Sequence, residues 1–298
     1  MAKANRMVLV TRATDYELLL ARHATRGQAA FFLKNRGHCI DDVAAQHEQF
    51  SAALAMVLRA VPEKWRRVRV DRGDLDRFVF EPEDIVVALG QDGLVANLAK
   101  YLDGQIVLGL NPQPERNPGV LVPHDPATTG ELLALAAAKR CPIQAHTMVE
   151  AVLDDGQTLR GLNEVFVGHA SHQSARYVVE YNGATERQSS SGMIVTTCTG
   201  ATGWARSVHQ ASKSALVLPA PEDSKLAYFV REPWPSLATG TRITEGLVDA
   251  GLVLRVTSEM DEHGVIFGDG IESDRLLFGY GQRLEIRCAK QTLNLLAA

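Results

Sequence analysis

The sequence predicts an α/β N-terminal domain, a layered and mostly parallel sheet, followed by a β-rich C-terminal domain. Three observations carry that expectation. Over the first 125 residues, short apolar runs alternate with segments of helical period, the pattern of a layered α/β unit. The runs DIVVALG (84–90) and QIVLGLN (105–111) are almost wholly apolar, as parallel strands covered on both faces are. From about residue 126 the texture changes to short strands punctuated by Asp155-Gly156 and Asn182-Gly183, pairs that favour hairpin turns. The domains are therefore expected at 1–125 and 126–298, with the extreme C-terminus a segment able to pack back on the first.

Taken in order, RMVLV (6–10) is a first strand, and Thr14-Asp-Tyr-Glu17 has the capping-box spacing that opens a helix. Leu20, Ala24, Gly27 and Phe31 then share one helical face until Gly37. A second helix carries Val43, His47, Phe50, Leu54 and Val57 inward and ends before Pro62. RRVRV (66–70) is the next strand, and its alternating arginines suit a solvated face. After PHDPATTG (123–130), an Ala/Leu-rich helix ends near Lys139. ARYVVEYNG, LRVTS (254–258), GVIFGDG (264–270) and RLEIRC (283–288) supply the strands of the β-rich part.

Composition narrows the function. Hydrophobic residues make up 46% of the 298 and charged ones 22%, with a net charge of −4. That is an ordinary globular balance with no basic field for nucleic acid or anionic lipid, so neither is an expected partner. Cys39, Cys141, Cys198 and Cys288 are scattered, without the spacing of a zinc framework or the density of a disulfide scaffold. The start lacks the apolar core of a signal peptide, and no apolar run nears the ~18 residues of a spanning helix. A cytoplasmic setting is expected. Among nine histidines, His169-x-x-His172 and His146-x-x-x-Glu150 invite a metal reading. Both lie in strand-like stretches, which do not present a ligand set as a helix face does.

Three segments bear chemistry. The first is Gly90-Gln91-Asp92-Gly93, at a strand's carboxyl end and before a helix that starts Leu94-Val95. In open α/β sheets ligands dock at that edge, and helix N-terminal amides favour phosphate. A carboxylate beside phosphate repels it unless it binds a metal ion or a reaction proton. Asp92 therefore suggests phosphoryl transfer with Mg²⁺, or else simply caps the helix. The second is Asn163-Glu164, an amide and a carboxylate able to read a ribose or an adenine edge. The third runs from Thr196 to Trp204, rich in glycine and hydroxyls, with an aromatic ring able to stack on a base.

In this order and at similar spacing, Gly-x-Asp-Gly, Leu-Asn-Glu and Thr-x-x-Thr-Gly-x-Thr-x-aromatic resemble the NAD kinase family, whose members show G-G-D-G-T, N-E and T-P-T-G-S-T-A-Y. Asn111 after QIVLGL matches the family's G-I-N, Gly119-Val120-Leu121 its G-F-L, and the closing GQRLEIRCAKQTLNLL its tail. The likeness extends from about residue 84 to the end. It implies ATP-dependent phosphorylation of the adenosine ribose 2′-hydroxyl of NAD, with Mg²⁺, at a site between two domains of a homodimer or homotetramer. It further implies that Asp92 is the acid at the 2′-hydroxyl, and that Gly90, Gln91 and Gly93 line the phosphate turn. By the same likeness Asn111, Asn163, Glu164, Ser191, Thr199, Thr202, Gly203, Trp204 and Ser207 take nucleotide-contacting places.

The departures from the family point to alternatives. Gln91 stands for its second glycine, Leu94 for its threonine, Cys198 for proline, and Ser191 for an aspartate that lies near the nicotinamide end. A non-catalytic dinucleotide sensor is one alternative. A kinase for another hydroxyl is a second, since lipid kinases share a G-G-D-G-type turn.

Overall fold

β1 (Arg6–Thr11) opens the chain in the computed structural model, which describes residues 5–221 and 223–297. Four of its six residues, Met7 to Val10, are wholly buried apolar side chains. Three helices follow: α1 (Asp15–His23), α2 (Arg26–Lys34) and α3 (Ile40–Ala60). The periodicity predicts one helix from Thr14 to Gly37, but the chain makes two. α1 ends at Ala24 with φ +61°, and the Thr25 hydroxyl caps α2 by accepting from the Gln28 amide. The predicted shared face does not survive the break: Ala24, Gly27 and Phe31 are exposed, and the two helices instead turn Tyr16, Leu19, Ala29 and Leu33 to one small cluster with Ile40. A left-handed alanine is strained where glycine is not. Ala24→Gly is therefore expected to stabilise the protein by about 0.5–1 kcal/mol, read as a higher urea midpoint at unchanged slope.

The parallel sheet is completed by β2 (Arg66–Asp71), β3 (Asp84–Leu89) and β4 (Ile106–Leu110), with α4 (Asp92–Ala99) between the last two and α5 (Thr129–Ala137) after them. The strand order is β2-β1-β3-β4, all parallel. All six residues of β3 are buried, while β2 shows mostly exposed side chains. That contrast is what the DIVVALG and RRVRV runs predict. Met7, Leu9, Val87 and Leu108 pack against Val57 of α3 and Leu133 of α5 in one core.

The remaining strands form the second unit. They are β5 (Ile143–Leu153), β6 (Thr158–Gly161), β7 (Glu164–His169), β8 (Ala175–Tyr181), β9 (Ala184–Ser190) and β10 (Met193–Thr196). After α6 (Trp204–Ala211) come β11 (Lys225–Val230), β12 (Glu245–Asp249), β13 (Leu254–Ser258), β14 (Gly264–Gly268), β15 (Ile271–Leu277) and β16 (Arg283–Leu296). One antiparallel sheet has the order β12-β11-β10-β7-β14-β15. β16, β13, β8 and β9 form a second antiparallel layer, with β5 on β16 and β6 on β5. Alternation along β7 and β10 sends Val165, Val167, Met193 and Val195 into the core shared with Tyr177 and Ile286. Phe166 and Ile194 face the other way, toward Trp204 and Val208 of α6. Asn182-Gly183 makes the predicted two-residue hairpin, with φ +50° and +78°.

Divided by internal contacts, the first unit ends at Gln144, and the chain returns to it at Asn294. Asn294 and Leu295 of β16 pair with Ile106 and Val107 of β4, while Arg283–Ile286 pair with β13. The observed architecture has the fold class that the sequence predicts: a parallel α/β sheet and a separate antiparallel β region. Among the described residues, no helix is long and apolar enough to cross a membrane.

One buried carboxylate in the second unit gives a pH-dependent stability. Glu186 of β9 is 6% exposed. It accepts from the Ile243 amide at 3.0 Å, Gln188 Nε2 at 2.7 Å, the Arg242 amide at 2.9 Å and Arg242 Nε at 3.3 Å. Burial alone would raise this carboxyl, but the bonds from Ile243, Gln188 and Arg242 outweigh it and hold the group below its ordinary range. A carboxyl depressed in the folded state contributes stability that is complete above its unfolded value and lost as pH falls through the folded one. Thermal scans are therefore expected to show a loss of stability as pH falls below about 4, and Glu186→Gln is expected to flatten it.

Candidate functional site

Asp92 begins α4 at the carboxyl end of β3 and is half-buried. Nothing caps the helix through a side chain: Gln91 occupies the N-cap position without such a bond. Asp92 instead turns outward from the helix. Its Oδ1 accepts from the Leu121 amide at 2.8 Å and its Oδ2 from the Val120 amide at 2.9 Å. The carboxylate thus fixes the loop after β4 and is itself held in one orientation. Gly93 has open space where a Cβ would stand, while a Cβ on Gly90 would press on Leu94 Cδ2 at 3.1 Å. Leu94, at the position of the family's threonine, points into the core at 3% exposure. It offers no hydroxyl and no surface to a ligand.

The loop that Asp92 grips is held from a second side. Asn111 is buried; its Nδ2 donates to the Asn117 carbonyl at 2.7 Å, and its Oδ1 accepts from the Gln113 amide at 3.0 Å. Its amide is therefore engaged in shaping the 112–117 loop. Gly119, with φ +70°, has no room for a Cβ against Val122 and Asn111, and a Cβ on Gly109 would overlap the Leu121 carbonyl. These two glycines let the loop lie close enough for its amides to reach Asp92.

In the second unit, Leu162-Asn163-Glu164 is tied to Asp269. Oδ2 of Asp269 accepts from the Leu162 amide at 3.0 Å, and Oδ1 from the Asn163 and Glu164 amides at 2.7 and 3.2 Å. Asp269 sits at φ +54° in the Asp269-Gly270 turn joining β14 to β15. Glu164 is buried at 7% exposure, whereas Asn163 is half-exposed. The Asn163 carbonyl accepts from the Thr197 amide at 2.9 Å and from Thr196 Oγ1 at 3.1 Å. The Thr197 hydroxyl donates to the Leu162 carbonyl and accepts from the Thr199 and Gly200 amides at 3.1 and 3.3 Å. The second and third sequence segments are thus one structure, with the buried hydroxyls of Thr196 and Thr197 as its hub.

Thr202 and Ser207 are exposed, and the Thr202 hydroxyl donates to the Thr199 carbonyl at 3.1 Å. Gly203 begins α6 without a side-chain cap. Trp204 is half-buried, stacked on Phe166 with centroids 5.7 Å apart at 21°, and the Arg231 guanidinium lies 5.4 Å from its ring centroid. Its indole is therefore built into the wall of α6. Ser191 is exposed at the opposite end of β10 from Thr199, in a turn where its amide donates to the Arg231 carbonyl at 2.9 Å.

Sequence reasoning missed the roles of three residues that shape these segments, one of which, His146, it considered only as a metal ligand. Asp269 acts across more than a hundred residues of chain, and Arg231 sits in a stretch with no pattern of its own. His146 of β5 is the third. Its ring is 7% exposed, Nδ1 lies 3.4 Å from Thr199 Oγ1, and burial lowers its pKa so that it stays neutral. The sequence reading places Asp269 at the end of the GVIFGDG strand run, whereas β14 stops at Gly268 and Asp269 lies in the turn, and nothing near it shows what its carboxylate holds. Among the described residues, no group of three or more His, Cys, Asp or Glu side chains is arranged to hold a metal ion.

No protein-family model matches the chain, and no curated protein matches it. Solved structures do. The crystal structure of yeast NADH kinase complexed with NADH aligns over all of this chain and 84% of its own, with 14% identity and a TM-score of 0.60. The crystal structure of an NAD kinase from Archaeoglobus fulgidus in complex with ATP aligns over 98% of this chain and 93% of its own, with 16% identity and a TM-score of 0.60. From end to end, the chain has an NAD kinase-like fold.

Proposed function

We propose that this protein is an ATP-dependent kinase that phosphorylates the 2′-hydroxyl of the adenosine ribose of NAD, or of a closely related nucleotide. The observation that carries the reading is the fixed orientation of Asp92 at the carboxyl end of β3, in a chain with this fold. A carboxylate has about four lone-pair directions. Two are taken by the Leu121 and Val120 amides, which leaves the others for a hydroxyl or a cation.

The acceptor oxygen attacks the γ-phosphorus of ATP, the bond from that phosphorus to its bridging oxygen breaks, and ADP leaves. The hydroxyl proton passes to Asp92. A carboxylate is a weak base at neutral pH, but the transition state of phosphoryl transfer is loose, so alignment counts for more than proton removal. The amides of Asp92 and Gly93, at the start of α4, would meet phosphate oxygens. Asn163, Glu164 and the Thr199–Trp204 segment, with Ser207, would hold the acceptor nucleotide. The donor set suits Mg²⁺, which is commonly held by one or two carboxylates together with substrate phosphates, and Asp92 offers hard oxygen for it. When bound, the ion would neutralise charge on the transferring group. A homodimer or homotetramer in a cytoplasmic setting belongs to the same reading.

One observation favours a second reading, a nucleotide-binding sensor without turnover. Both oxygens of Asp92 are already engaged by the 120–121 loop, which gives the carboxylate a purpose apart from chemistry. The test is ADP release from ATP and Mg²⁺ with NAD, NADH and other alcohol acceptors. NAD-dependent ADP release supports the kinase. Binding of NAD without ADP release on any acceptor would leave the sensor.

A further inference from the structure

A line of four polar groups runs behind the Thr199–Trp204 segment, all of it within the second unit. It joins His146 of β5, Thr199, Cys198 and the Pro221 carbonyl. We infer that His146 is a positioning residue: it makes the Thr199 hydroxyl a donor, whose proton goes to an acceptor atom of the bound nucleotide, an oxygen or an aromatic nitrogen. The inference rests on the reading above that this segment holds the acceptor nucleotide, and adds to it what sets the segment's hydrogen-bonding sense.

The direction of the line follows from its two ends. At one end a carbonyl can only accept, so the Cys198 thiol, 3.6 Å from the Pro221 oxygen, donates to it. The sulfur then has only lone pairs for Thr199, whose hydroxyl also reaches it. That hydroxyl therefore donates, and its oxygen is left to accept from His146 Nδ1 at 3.4 Å. At the other end, Nε2 of His146 is buried and has no hydrogen-bond partner among the described residues. In buried sites an orphaned N–H is rarer than an under-satisfied acceptor, which again puts the ring proton on Nδ1. Both ends give one tautomer. Burial keeps the ring neutral, since a protonated ring would carry an unpaired Nε2–H.

Thr199 can serve a ligand because its own backbone makes no use of the hydroxyl. It stands at the N-cap of the short turn Gly200–Thr202, where a threonine side chain ordinarily bonds the amides that follow, and it makes no such bond. The residue is half-exposed, while His146 is 7% exposed. A thiol sulfur is a weak acceptor, so a nucleotide oxygen or nitrogen takes the threonine proton from it. His146 acts through Thr199 alone.

Calorimetric titration of the intact protein with NAD, together with steady-state kinetics, tests the assignment. His146→Leu is expected to weaken NAD binding and raise the KM for NAD about fivefold, with kcat and the KM for ATP within about twofold. His146→Asn, whose amide can donate from near the Nδ1 position, is expected to restore most of the loss. In a Thr199→Val background, His146→Leu is expected to add nothing, as follows when one residue acts through the other. Nitrogen-15 NMR of the wild-type ring, which needs no variant to fold, is expected to show the proton on Nδ1. Unchanged NAD affinity in His146→Leu, independent effects of the two substitutions, or a ring protonated on Nε2 would each overturn the inference, while wild-type turnover would leave the kinase standing. Wild-type protein that neither binds NAD nor releases ADP with it would remove the kinase reading, and this inference with it.

Discussion

Replacing Asp92 with asparagine is expected to lower kcat by about 10²–10⁴ while the affinities for ATP and NAD stay within about threefold. The carboxylate lies at the one point where the helix start, the phosphate-favouring amides and a reacting hydroxyl are proposed to meet. Its second task complicates the reading. Asparagine keeps one acceptor oxygen but turns an N–H toward one of the two loop amides that the aspartate satisfies. Some loosening of residues 119–122 will follow. Gly119→Ala separates the two effects, because it disturbs the same loop through Val122 and Asn111 while keeping the carboxylate. If Gly119→Ala matches Asp92→Asn in lost kcat at equal loop protection by hydrogen exchange, the aspartate is a loop clamp and its catalytic role is gone.

The second large effect is expected at Gly200. A Cβ there would overlap the Asn163 carbonyl and Thr196 Oγ1, the two atoms through which the 162–164 turn and the 196–200 segment are joined. Gly200→Ala is expected to destabilise the protein by about 2–3 kcal/mol, as overpacking of a rigid backbone does, and to weaken NAD binding at least tenfold. Gly203→Ala is the control. Its nearest neighbour to an added Cβ is the Gly200 carbonyl at 3.6 Å, an ordinary contact, so a change within about 0.5 kcal/mol is expected. Denaturant midpoints and isothermal titration with NAD distinguish the two. Equal tolerance of both substitutions would mean that the segment is free to move and does not position the nucleotide.

What was legible from sequence follows the range of the forces involved. Continuous apolar runs give β3 and β4 because strands covered on both faces need no polar side. The Thr14–Glu17 capping box and the Asn182-Gly183 hairpin act within four residues and show directly in the sequence. The break at Ala24 does not show, because an alanine at positive φ has no sequence signature. Long-range polar contacts are equally silent. Nothing near Asp269 indicates the amides of Leu162–Glu164, and nothing near Asp92 indicates those of Val120 and Leu121. Trp204 shows a third limit. Sequence gives an aromatic ring beside a glycine-rich loop, but not that Phe166 already covers one of its faces.

The claim on which the rest depends is that Asp92 serves a ribose hydroxyl during phosphoryl transfer. It is tested most directly by phosphorus NMR of wild-type protein and Asp92→Asn, each mixed with ATP, Mg²⁺ and NAD. The account predicts a new phosphomonoester resonance, growing in step with ADP, in the wild type and nearly absent in the variant. Saturating ATP and NAD on the wild-type protein with no phosphomonoester formed, or equal rates in the two proteins, would contradict it.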